Sequence, residues 1–351
     1  MTDFARHLAG LIAQDGPMRL DRFMGLANAH YYATRDPLGA AGDFTTAPEI
    51  SQLFGELIGL TLVDHWQRAG MPPALRLVEL GPGRGTLMAD LLRAAAVRPA
   101  FLDAARITLV ETSPALRGAQ AHALAGHDID WADSIDEVPA DAPLYLVANE
   151  FFDALPIRQF HITGAAWTER HIALTANGFA YQDITTPFPP PSFTGEASQG
   201  GGGAATLELN EAALAITADI GERLSTHGGL ALIADYGYAA GHGDTFQAMK
   251  AHAFTDPLAA PGEADLTAHV DFAALARASG VRAWGPAGQG AFFTALGLAA
   301  RLDMLSKARP DRAAALREGA ARLIDPAQMG TLFKMLALTG PGGPAPAGFP
   351  P

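Results

Sequence analysis

The sequence predicts an α/β protein built on a mostly parallel sheet, and three observations carry that expectation. Between residues 75 and 149, short apolar runs alternate with segments whose apolar residues recur at helical spacing. The first of these runs, Leu75–Leu80, carries an acid at Glu79 and opens directly into three alternating glycines. The alternation breaks at 157–183, where strand-like runs follow one another with only turns between them, the pattern of an antiparallel insertion.

Residues 1–70 read as a helical extension. Phe4–Ala13 and Leu20–His30 carry apolar residues at mixed helical spacing, and Ile50–Leu60 begins a strongly apolar helix that continues to Trp66. The stretch 31–48 between them is polar and rich in turn formers, and a loop of that length points to a function. The first part of the core covers 71–156: strand 75–80, helix 86–96, strand 106–111, helix 114–124, a short strand near Ile129–Trp131, and strand Leu144–Ala148 ending at Asn149-Glu150. The insertion, 157–205, holds strands Ile157–Ile162, Ala165–Leu174 and Gly178–Gln182, followed by the Pro-, Gly- and Ser-rich stretch Pro187–Gly203, read as a flexible loop. The second part, 206–339, resumes with helix Asn210–Ser225 and strand Leu230–Asp235, passes through an irregular substrate-side insertion at 239–270, and continues with helices Asp271–Ser279 and Ala291–Ser306. Thr331–Leu338 reads as the last strand, and the Pro- and Gly-rich residues 340–351 read as a disordered tail.

Composition narrows the function. Of 351 residues, 49% are hydrophobic, enough for a sizeable core. No run approaches the length of a membrane span, and Met1–His7 lacks a basic start followed by an apolar signal core, so a soluble cytoplasmic protein with no membrane insertion is expected. The absence of cysteine excludes disulfides and thiolate metal sites, and the 11 histidines lack ligand-like spacing, so no metal is expected. A formal charge of −13 disfavours nucleic acid and suits a cationic partner.

The glycine turn points to a nucleotide cofactor. Glycines allow positive φ and close approach of a ligand to the backbone, and free amides at the following helix start favour an anionic group. Dinucleotide sites prefer G-x-G-x-x-G. Here the spacing is Glu79-x-Gly81-x-Gly83-x-Gly85, and the next strand, Ile107–Val110, ends in Glu111. A tight turn followed by a solvated acid is the plain alternative.

The E-x-G-x-G-x-G form resembles the first motif of class I S-adenosylmethionine-dependent methyltransferases. Five segments in one order, Gly42–Glu56, Glu79–Met88, Asn149–Pro156, Asp235-Tyr236-Gly237 and Asp265–Phe272, resemble the MidA-like methyltransferases, whose mitochondrial members are assembly factors of respiratory complex I. The resemblance runs from near residue 20 to the last strand. It implies a Rossmann-like class I methyltransferase sheet, S-adenosyl-L-methionine as cofactor, and a protein substrate, with symmetric dimethylation of an arginine in a complex I subunit as the leading guess. Thr245-Phe246-Gln247 departs from it, since a smaller aliphatic residue is expected in place of Phe246.

Carried onto this chain, the resemblance gives the methionine moiety to Gly81, Pro82, Gly83 and Gly85, the ribose to Glu111, and the adenine to the segment of Asp133 and Ser134. Asp133 reads equally as an acid on a surface turn. Asn149, Glu150 and Asp153 stand at the end of the fourth strand, where ligands gather in open parallel sheets. Asn149 is assigned to the cofactor. Glu150 and Asp153 form a candidate clamp for a planar guanidinium. Alternatively Asp153 caps the following turn while Glu150 touches the cofactor. Transfer requires alignment and exclusion of water more than a strong base, and the released proton has His269, Asp235 or another carboxylate as candidate acceptors. His269 reads equally as a structural hydrogen bonder. Asp43 and Phe44 form either a lid or a cap for the helix near Pro48. Two other functions compete, a dinucleotide-dependent dehydrogenase and a non-enzymatic assembly chaperone on a decayed cofactor fold.

Overall fold

Leu77 pairs in register with Ile107 on one side and Tyr145 on the other, and this parallel pairing sets the middle of the main sheet. In the computed structural model, which describes residues 1–34, 45–163, 166–186, 205–240 and 243–350, the sheet runs in the order β3-β2-β1-β4-β5-β7-β6. The strands are β1 Leu75–Leu80, β2 Ala105–Val110, β3 Ile129–Ala132, β4 Leu144–Asn149, β5 Gly229–Tyr238, β6 Arg282–Gly288 and β7 Phe333–Thr339. The first five are mutually parallel. The seventh lies antiparallel between β5 and β6. Val270–Asp271 adds a short parallel strand beside the end of β5.

Burial on both faces explains the continuous apolar runs of the central strands. Leu75, Leu77, Tyr145 and Val147 point to one face, where they pack with Leu57, Ile58 and Leu91 of helices Gln52–Arg68 and Thr86–Ala95. Val78, Leu80, Leu146 and Ala148 point to the other, against Ile220, Leu224 and Phe272 of helices Glu211–His227 and Phe272–Ser279. A third core forms where the N-terminal helices Asp3–Asp15 and Leu20–Thr34 bury Leu8, Phe23 and Met24 against Ile172 of the insertion and Leu266 of the later segment. The insertion strands Arg158–Thr163, Ala166–Thr175 and Gly178–Thr186 are joined by Ala205–Leu209 and by the two-residue strand Met18–Arg19, so this sheet and the N-terminal extension share one unit.

Several local expectations change. The helix expected from Ile50 is broken at Ser51, whose backbone is extended and whose hydroxyl accepts from the Leu53 amide to start a new helix. The helix expected over 291–306 is two, divided at Gly297 in the left-handed region. The irregular stretch at 239–270 contains a small antiparallel sheet of Gln247–Lys250, Ala253–Thr255 and Asp265–Thr267. The end of the chain, expected to be disordered, instead lays Phe349 against Phe292 at 5.0 Å and gives the Ala345 carbonyl to Arg68 at 2.7 Å. Apolar burial of one large aromatic outweighs the local Pro and Gly content. Asp43, Phe44 and the stretch 187–203 lie outside the described residues.

Candidate active site

A cleft of about 580 Å³ opens at the carboxyl ends of β1, β2 and β4, a volume typical of small-molecule sites. The glycine turn forms its floor. Gly81, Gly83 and Gly85 have φ of 62°, 54° and 84°, all in the region that favours glycine. A Cβ on Gly81 would stand 2.9 Å from Cδ2 of Phe151, so that position has no room for a side chain. Gly85 then caps helix Thr86–Ala95 and directs its first amides at the cleft.

Glu79, the acid of the E-x-G-x-G-x-G motif, is buried and lines the cleft beside this turn. The Met88 amide supports one side of its carboxylate, while Oε2 has no hydrogen-bond partner. Burial pushes its carboxyl up to about 8. Glu111 stands just past β2, with Oε1 accepting from the Ser113 amide at 2.8 Å and Oε2 facing Gln120 Nε2 at 3.4 Å. Burial raises its pKa, opposed by the Ser113 and Thr112 amides, Gln120 and Arg117. Arg117 donates through Nε to the Glu111 carbonyl at 2.8 Å and pairs with Asp133 at 2.6 Å, so the exposed Asp133 is anchored beside the cleft. Ser134 lines the same end.

At the other end, Glu150 follows β4 with φ of 49°, a left-handed conformation that a non-glycine residue adopts only under constraint. Its amide donates to the Ala234 carbonyl at 2.9 Å. Among the described residues, the hydrogen bonds to its carboxylate end on Oε1, from the Ala47 amide at 3.1 Å and Asn149 Nδ2 at 3.2 Å. That contact orients Asn149 so that its Oδ1, buried and without a partner, is left as an acceptor. Burial, then the charges of Asp153 and Asp265, push the Glu150 carboxyl up to about 8.

Asp153, Asp235 and His269 are not among the residues that line the cleft. Asp235 is wholly buried, accepting from the Phe152 and Asp153 amides at 3.0 and 3.3 Å through Oδ2 and from the Tyr236 amide at 2.9 Å through Oδ1. Burial and the neighbouring carboxylates Asp153 and Glu150 raise its pKa well above the usual range. It holds the backbone of the turn that presents Glu150. The Asp153 carboxyl lies behind that turn with the Tyr236 hydroxyl, and burial pushes it up to about 6. His269 packs edge-on against Tyr236 at 5.5 Å, its pKa is lowered by burial and by Lys334, and its backbone amide donates to Thr245 Oγ1 at 2.8 Å.

Three residues escape sequence reasoning. Asn28, in helix Leu20–Thr34, donates to the carbonyls of Ala154 and Leu266 at 2.9 and 2.7 Å and accepts from the Leu266 amide, tying the extension to the Glu150 turn. Tyr32, one turn later, lines the cleft and donates to Asp265 at 2.7 Å. Gln120 joins the glycine turn to Glu111. Their partners are distant in sequence, and no local pattern marks them. Among the described residues no cluster of histidine and acidic side chains has the arrangement of a metal site.

A family model described as "Putative S-adenosyl-L-methionine-dependent methyltransferase" matches residues 57–288. The chain belongs to this family. Curated relatives extend the match over nearly the whole chain: protein arginine methyltransferase NDUFAF7, mitochondrial, from Danio rerio is 36% identical across 95% of this chain and 86% of that protein. The Mus musculus protein of the same name is 37% identical across 96% of this chain and 84% of its own. A crystal structure of a superfamily member from Burkholderia thailandensis, bound to S-adenosyl-homocysteine, has a TM-score of 0.84 at 25% identity and covers 98% of this chain and 93% of that one. The family's methyltransferase chemistry and S-adenosyl-L-methionine as cofactor hold for this chain, in place of a dinucleotide or a decayed site. The unpartnered buried Oε2 of Glu79 and the side-chain-free glycine floor fit that cofactor. The cytoplasmic placement expected above is corrected by these relatives, which are named as mitochondrial. No described helix is long and apolar enough to cross a membrane.

Proposed function

We propose that this methyltransferase modifies an arginine of a protein, with a subunit of respiratory complex I as its substrate. The observation that carries the reading is Glu150, a carboxylate fixed by the Ala47 amide and Asn149 at the end of the cleft away from Glu111. Buried acids at Asp153, Asp235 and Asp265 surround it, a setting that favours a cation over a neutral or anionic group. The names of the relatives support the same substrate class.

In this reading the amides and carbonyls of Gly81–Gly85 hold the methionine moiety, Glu111 the ribose hydroxyls, and the Asp133 and Ser134 segment the adenine. Glu79 holds the cofactor's ammonium through its unpartnered oxygen, and Asn149 Oδ1 faces the cofactor side. When bound, the cofactor supplies a methyl group already activated by a sulfonium. Glu150 receives the substrate guanidinium, orients one nitrogen, and draws positive charge onto the others. The nitrogen forms its bond to the methyl carbon as the carbon–sulfur bond breaks, and the surplus proton passes from that nitrogen to Glu150. Asp235 acts through the backbone by keeping the Glu150 turn in place. Phe151, Pro48 and Leu87 line the cleft and exclude water.

The test is transfer of a labelled methyl group from the cofactor into purified complex I lacking this modification, followed by mass spectrometry of the labelled peptide. Label on an arginine supports the reading; label on lysine, a carboxylate or another protein only would overturn it.

A further inference from the structure

Glu150 by itself cannot satisfy a guanidinium. The group carries five N–H donors and no acceptor, whereas Oε1 of Glu150 already accepts from the Ala47 amide and from Asn149. Among the described residues only Oε2 is left for the substrate, and Asp153, the expected second half of the clamp, is not part of the cleft lining. A second acceptor has to come from another element.

Helix Leu20–Thr34 supplies it. Asn28, Ala29, Tyr32 and Ala33 line the cleft, and the bond from Asn28 to the Ala154 carbonyl at 2.9 Å sets the helix against the Glu150 turn. The Tyr32 hydroxyl donates its one hydrogen to Oδ1 of Asp265 at 2.7 Å. Asp265 is buried, and with the Tyr32 hydrogen engaged on its Oδ1 the hydroxyl has no second hydrogen to donate. What Tyr32 offers to the cleft is therefore the lone pairs of its oxygen, polarised by the hydrogen bond behind it.

Resting on the arginine reading above, we propose that Tyr32 is the second anchor of the substrate guanidinium and a specificity determinant, with Asp265 as its positioning residue. The N-terminal extension thereby supplies half of the substrate site. A planar guanidinium spreads its donors over two acceptors on different elements, whereas a lysine ammonium is a compact point with three. The cleft selects arginine by that difference in reach.

The experiment uses the full chain and a peptide spanning the arginine found in the labelling experiment, together with the same peptide carrying lysine. Tyr32→Phe keeps the ring and removes the acceptor. The expected result is a KM for the arginine peptide at least tenfold higher, with S-adenosylhomocysteine affinity within twofold of the wild type and a melting temperature lowered no more than in Asp265→Asn, since both lose the same buried hydrogen bond. Asp265→Asn, which keeps the shape but weakens the hold on the hydroxyl, should raise KM by a smaller factor, and the double variant should be no worse than Tyr32→Phe alone. An unchanged KM in Tyr32→Phe overturns the anchor while leaving the arginine reading intact. A KM rise accompanied by equal losses of cofactor affinity and melting temperature makes Tyr32 structural and also overturns it. Wild-type protein that labels the lysine peptide as fast as the arginine peptide refutes both.

Discussion

Gln120 donates from Nε2 to the carbonyl oxygen of Gly83 at 2.7 Å, while its Oε1 accepts from the Trp131 indole at 2.8 Å. The same Nε2 faces Glu111 at 3.4 Å, so one fully buried amide ties the glycine turn to the acid that follows β2. Gln120→Leu removes these bonds and leaves the indole N–H unpaired. At about 1 kcal/mol for a neutral bond and more for one to a charge, S-adenosylhomocysteine affinity should fall at least tenfold. Titration calorimetry checks it, and a dissociation constant within twofold of the wild type would show that the turn and Glu111 are set independently.

Gly81 combines a φ of 62° with a Cβ position 2.9 Å from Phe151. Gly81→Ala must therefore strain the backbone by about 1–2 kcal/mol and push Phe151, itself part of the cleft, out of place. Cofactor affinity is expected to drop by more than tenfold while circular dichroism still reports a folded protein. An alanine variant that binds S-adenosylhomocysteine normally would contradict the close fit of this floor.

Glu79 gives stability a definite pH slope. Burial raises its carboxyl from the ordinary 4.5 to about 8, so between those values the native protein holds a proton that the unfolded chain has released. Stability contributed by the protonated group is complete below pH 4.5 and is lost as pH rises through about 8. Glu150, also raised to about 8, acts in the same direction. Denaturant unfolding of the ligand-free protein should thus give a lower free energy at pH 8 than at pH 5.5, and Glu79→Gln should reduce the difference. A cationic ligand group beside Glu79 favours the ionised form, so binding of S-adenosylhomocysteine should release a proton near neutral pH. Stability that rises over this window, or a slope unchanged in Glu79→Gln, would contradict the burial argument.

The main sheet was legible because its strands are buried on both faces and write themselves as unbroken apolar runs. By contrast, β6 was not, since Gly285 and Pro286 interrupt Arg282–Gly288 and its pairing with β7 shifts register between Trp284 and Ala287. That Glu79, Glu111 and Glu150 line one cleft was legible because strand ends in a parallel sheet converge on one edge. Tyr32 and Asn28 were not legible, because they reach partners 233 and 238 residues away through tertiary packing alone. Asp153 and Asp235 do not line the cleft, a placement that proximity along the chain could not give, because it depends on how the backbone turns after Glu150.

The central claim, that Glu150 holds and polarises the substrate guanidinium, is tested most directly by single-turnover methyl transfer with Glu150→Gln against the wild type. The substitution preserves shape and removes the charge. Since the lost interaction strengthens as positive charge shifts in the transition state, the transfer rate should fall by about two orders of magnitude or more, with S-adenosylhomocysteine affinity nearly unchanged. The wild-type kcat/KM should rise with pH toward about 8 as the carboxyl of the free enzyme ionises, and the variant should lack that limb. A Glu150→Gln protein that transfers at the wild-type rate with the wild-type pH profile would contradict the account.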